Sequence, residues 1–224
     1  MKKNALLLAA LPLLLAGTVR ASGSSRPAMP MQTGAPASPE DEAKEYLNDA
    51  ITRKEKADKL EAEALAAPDA PKREKLLAKS QKEHEASIKK YVKATEKDPT
   101  LYGAWGGLGY AYRKTRRFDE ALAAYDKSLA LNPSYMPAVE YRAEAYLGLN
   151  RLEEVKAAYL TLFNSDRKRA DELAAAIDTW VAGKKTDPSG LDAKTLDEFA
   201  TWAAQRKQIA GQTSSLLKPR DERW

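Results

Sequence analysis

Apolar and polar positions alternate along most of this chain with a helical period. Trp105, Leu108 and Tyr112 fall three or four residues apart, which places them on one face of a helix predicted over 102–113. A second helix is predicted over 118–131, with Ala121, Leu122, Tyr125 and Leu129 on its inner stripe. Asn132-Pro133 ends it, because proline lacks an N–H and disfavours helical geometry in the residue before it. Gly109 and Ala121 are small where two antiparallel helices would otherwise collide.

The flanks follow the same period more thinly. Ser38-Pro39-Glu40-Asp41 opens a charged, alanine-rich helix over about 40–66, with Tyr46, Leu47, Ile51, Leu60 and Leu65 as its sparse stripe. Its heptad pattern for pairing with another chain is poor. After the turn Pro68-Asp69-Ala70-Pro71, a helix over about 72–97 carries Leu77, Ile88, Tyr91, Val92 and Thr95. Downstream, helices are expected over 166–182 (Leu173, Ile177, Trp180, Val181) and 192–210 (Leu196, Phe199, Trp202, Ala203). Residues 184–190 read as a loop and 211–224 as a polar tail. The class is all-α.

The chain also repeats itself. Shifted by ~34 residues, Arg117 to Tyr125 lies over Arg151 to Tyr159, Tyr112 over Tyr146, and Gly109 over Ala143. Upstream, Tyr91 falls on Tyr125 and Asp98-Pro99 on Asn132-Pro133. One unit (102–135) is clear and a second (136–165) is good, though Val139 and Arg142 replace Trp105 and Leu108 and no proline ends it. A degenerate third closes a hairpin spanning 40–101.

Trp105-x-x-Leu108-Gly109-x-x-Tyr112, Ala121, Tyr125 and Pro133 together resemble the tetratricopeptide repeat (TPR) pattern, here in an exported bacterial type of protein. The resemblance implies a right-handed solenoid of antiparallel helix pairs, with long N-terminal helices and C-terminal capping helices over 166–210. Ala143, Tyr146 and Tyr159 complete the packing signature in the second unit. It further implies a concave groove that holds a segment of another protein. Its expected lining is Gly103, Gly106, Tyr110, Arg113 and Lys114 from the first unit and Glu140, Tyr141, Glu144 and Leu147 from the second. A basic half and an acidic half would then fix the direction of a bound peptide. Family members that clamp acidic chaperone tails need Lys, Asn and Asn where this chain has Gly106, Tyr110 and Tyr141, so that reading is disfavoured.

Residues 1–21 read as a secretory signal: Lys2 and Lys3, an apolar run from Ala5 to Ala16, and Val19-Arg20-Ala21 before Ser22. The run is short for a bilayer span, an uncleaved anchor being the alternative. Residues 22–39 have a linker's composition. The expectation is an exported, periplasmic protein with no stable membrane anchor after cleavage. Removing Lys2, Lys3 and Arg20 lowers the net charge from +5 to about +2, so nothing demands nucleic acid. The chain has no cysteine and a single histidine, His84, so no metal or other cofactor is expected. The four glycines at 103, 106, 107 and 109 lie within a helix and do not follow a strand, so they do not read as a nucleotide loop. The expectation is a non-catalytic interaction scaffold of the cell envelope, or alternatively an accessory subunit of an envelope enzyme in wall or polysaccharide metabolism.

Overall fold

The computed structural model describes residues 38–188 and 190–216. The predicted signal, the linker up to residue 37 and the end of the predicted tail lie outside the described residues. Eight helices make up the described chain: α1 (Pro39–Leu65), α2 (Ala70–Lys97), α3 (Tyr102–Lys114), α4 (Phe118–Leu131), α5 (Met136–Gly148), α6 (Leu152–Ser165), α7 (Arg167–Thr186) and α8 (Ala193–Leu216). Odd-numbered helices form an inner layer in which α1 packs on α3, α3 on α5 and α5 on α7, and each packs on the even-numbered helix that follows it. None of the described helices is long and apolar enough to cross a membrane.

The central pairs are held by large rings entering small positions. Tyr91, Tyr125 and Tyr159, in α2, α4 and α6, are buried at equivalent places. A Cβ on Gly109 would stand 2.7 Å from the Tyr125 ring, and one on Gly107 2.4 Å from Tyr91, so neither helix crossing leaves room for a side chain. The turns repeat as well. Arg116 and Asn150 take positive φ after α3 and α5, and Arg117 and Arg151 then donate their N–H to the carbonyls of Tyr112 and Tyr146. That is the Schellman way of ending a helix. Both arginines then lie over those tyrosine rings, at 4.5 and 4.6 Å, and pair with Glu120 and Glu154. Asp98 and Asn132 accept the N–H groups of Thr100 and Ser134 in the turns before α3 and α5, and Asp166 accepts the Arg169 N–H in the first turn of α7. Trp105 packs partly buried against the core formed by α2 and α3, with its indole N–H reaching out to the Pro99 carbonyl at 2.9 Å.

The hairpin differs more from its predicted stripe. Ser38 and Asp69 cap α1 and α2 as their sequence suggests. The buried row of α1 is Ala43, Ala50, Ala57 and Ala64, and α2 buries Ser80, Ser87 and Ala94 at the same seven-residue spacing. This is a heptad seam built from small residues and closed within the chain. Alanines let two helix axes come close, and the bulkier Ile51 and Leu65 are displaced to the surface.

At the other end the array continues. Only Asp166 separates α6 from α7, and α7 packs on α5 and α6 as α5 packs on α3 and α4. Leu173, Ile177, Phe199 and Ala203 join the core of the preceding pair. Helix α7 runs into the predicted loop, to Thr186. Helix α8 runs past the predicted end at 210, to Leu216, and Asp192 caps its start by accepting the Thr195 N–H at 2.9 Å.

Candidate functional site on the inner face

The inner layer presents two cavities. The smaller, about 280 Å³, lies near the starts of α3 and α5 and is lined by Leu47 and Ile51 of α1, Gly103 and Gly106 of α3, and Tyr135 and Tyr141. The larger, about 550 Å³, lies at the far ends of the same helices. Its apolar walls are Leu65 and Leu77 from the tip of the hairpin, Phe118, Leu147, and Trp180 of α7. Tyr110 and Tyr141 meet edge to face at 5.1 Å between the two, and Arg113 lies over both rings.

The predicted groove residues are therefore brought onto one face, with three corrections. Glu140 is not a lining residue: it is 4% exposed and pairs with Arg169 of α7, which packs across it. Gly106 is buried, although it borders the small cavity. Leu147 is a core residue that only borders the larger cavity. The whole α1 wall was missed, as was the contribution of α7. Leu47, Ile51, Lys54, Asp58, Glu61 and Leu65 recur at helical spacing along α1, a second stripe beside the alanine seam. Taken as one apolar stripe with Tyr46 and Leu60, those leucines and the isoleucine read as core.

The expected basic and acidic halves do not exist as free charge. Arg113 bonds Glu144 at 2.5 Å, Lys114 bonds Glu61, and Arg169 bonds Glu140. Lys54 bonds Asp58 at 2.6 Å, and Asp58 also accepts the Tyr110 hydroxyl at 2.7 Å. Burial and the Asp58 carboxylate both raise the pKa of that hydroxyl, so it stays a donor. Burial also works to raise the pKa of Glu61, but bonds from His84, Lys114 and Ser80 outweigh it and hold the carboxyl at about 2. For Glu140 burial wins over Arg169 and pushes the carboxyl up to about 7.

His84 lies at 1% exposure, and its Nε2–H donates to Glu61 at 3.0 Å, since an ionised carboxylate can only accept. Ligand atoms of Asp58, Glu61 and His84 come within 4.8 Å of one another. The two carboxylates are already held: Lys54 and Tyr110 bond Asp58, while Ser80, Lys114 and His84 bond Glu61. Two ammonium groups on those carboxylates suit a hydrogen-bonded hub joining α1, α2 and α3, and would oppose a cation.

Residues 102–135 match the tetratricopeptide repeat family. No curated protein matches the sequence. Among solved structures, the chain is similar to the first TPR domain of the human RPAP3 protein, determined by NMR. The two share 23% identity, over 63% of this chain and 98% of that one, with a TM-score of 0.43. It is also similar to the first TPR of Spaghetti (RPAP3) bound to the HSP90 peptide SRMEEVD. There the identity is 21%, over 69% of this chain and 95% of that one, with a TM-score of 0.37. The described chain is an all-α stack of antiparallel helix pairs, and the tetratricopeptide repeat pattern lies at residues 102–135.

Proposed function

We propose that this protein is an exported, non-catalytic scaffold of the cell envelope that holds a segment of a partner protein against the inner face of its helix stack. The observation that carries the reading is the pair of cavities on one face, divided by the Tyr110–Tyr141 ridge and walled by four successive inner-layer helices. Such a surface offers length, apolar contact and fixed side chains to an extended or helical segment. The family likeness at 102–135 supports protein interaction as the role. Export rests on the charged start, the apolar run and the small-residue site before Ser22.

Pull-down from an envelope fraction tests both parts. Wild type should retain a partner that the double variant Ile51→Asp, Leu65→Asp loses by about tenfold, the scale of a hot-spot loss. Both residues are exposed, so the melting midpoint should hold. Equal recovery by variant and wild type would move the site off this face. N-terminal sequencing of exported protein should begin at or near Ser22, and Met1 on membrane-bound material would contradict cleavage. A partner with catalytic activity would make the protein an accessory subunit.

A further inference from the structure

The larger cavity combines exposed apolar side chains with charges that are already spent. Leu65 is 85% exposed and Leu77 47%, both at the tip of the hairpin, and they share the cavity with Phe118, Leu147 and Trp180. Leu65 is the most open large apolar side chain among the described residues, on a helix that buries its alanines instead. Exposed apolar groups gathered around one hollow are a feature of interaction sites.

The polar lining decides what kind of segment fits. The cavity's cations are Arg113 and Lys114, and its anions are Glu61 and Glu144. They form two complete pairs, and Arg113 is only 13% exposed. An incoming carboxylate would have to share a cation already neutralised by Glu144 or Glu61, next to that partly buried acid. Two carboxylates around one cation set like charges together in a partly desolvated site, which is costly. Glu61 has further donors in His84 and Ser80, which fix it in place. A neutral side chain disturbs none of these bonds. It gains the apolar area of Leu65, Leu77 and Trp180 and leaves the charged floor intact.

We infer that this cavity takes a neutral segment of a partner protein through one bulky aliphatic or aromatic side chain, and not an acidic tail. The inference rests on the inner-face reading proposed above and names the chemistry of its partner. The hairpin tip and α7 act as two jaws around that side chain, with the Tyr110–Tyr141 ridge separating it from whatever enters the smaller cavity.

Heteronuclear NMR titration of the full chain separates the alternatives. The probes are N-acetyl-leucinamide, N-acetyl-tryptophanamide and an acidic tetrapeptide with a free carboxylate. The two neutral amides should produce saturable shifts at Leu65, Leu147 and the Trp180 indole, and Leu65→Asp should weaken them by about tenfold. The acidic peptide should shift these signals no more than acetate does. If the acidic peptide alone saturates them, the chemistry inferred here is overturned while the inner-face reading stands. Saturable shifts confined to α4, α6 or α8 would overturn both. Shifts at Leu65 and Trp180 that appear on concentrating the protein alone would make a second copy the occupant and overturn the inference. No saturable shift with any probe at millimolar concentration would overturn it as well.

Discussion

The central helix pairs and the N-terminal hairpin stack in the same layers with opposite materials. In α3 to α6, helices of 13 or 14 residues are locked by large rings entering small positions, as Tyr125 enters against Gly109. In the hairpin, helices of 27 and 28 residues meet each other through small residues at seven-residue spacing, and the Tyr91 ring of α2 enters against α3 instead. The first device concentrates stability in a few side chains. The second spreads it along a seam and leaves larger apolar side chains free for the surface. That difference explains how one wall of the inner face can carry exposed leucines without weakening the fold.

Removing a ring should do most damage. Tyr125→Ala empties a fully buried site between α3 and α4 and should cost roughly 3–5 kcal/mol in a denaturant melt, in line with other large aromatic truncations. A loss below about 1 kcal/mol would mean that the rings are not the locks. In the hairpin the ranking of residue types should invert. Ala50→Leu should cost about 1–3 kcal/mol by forcing the seam apart, whereas Ile51→Ala next to it should cost under about 1 kcal/mol. Equal effects at 50 and 51 would break the comparison.

A smaller effect lies where the central pairs meet α7. The Glu140 carboxyl binds its proton more readily in the folded protein, with a pKa of about 7 against an ordinary 4.5. The stability it contributes is therefore complete below about pH 4.5 and is lost as pH rises through about 7. That loss should be at most roughly 3 kcal/mol. Glu140→Gln should flatten the profile over this window, and an unchanged slope would place the titrating group elsewhere.

The contrast also marks what the sequence made legible. Trp105, Gly109, Ala121 and Tyr125 announce the repeat because a large–small pairing needs particular residues at particular spacings. The alanine seam is faint in the sequence because Ala43, Ala50, Ala57 and Ala64 carry no bulk to mark a stripe. The bulkier Tyr46, Leu47, Ile51, Leu60 and Leu65 mark a different one. Helical spacing alone puts Tyr110, Arg113 and Lys114 on a common face of α3. Their partners were not readable, because Glu144 and Glu61 come from helices distant in the chain and pairing is a tertiary fact. Trp105 matched its motif position yet lies partly exposed, so a motif residue need not be a buried one.

The central claim is that a partner segment lies on the inner face between the hairpin and α7. Photo-cross-linking reads this directly, with a photoreactive amino acid placed singly at the exposed positions Leu65 and Thr179, both of which line the larger cavity. Leu131 and Leu160, exposed on α4 and α6, serve as controls. The account predicts adducts from 65 and 179 to one and the same segment of the partner, and none from 131 or 160. Adducts from 131 or 160, with none from 65 and 179, would contradict it.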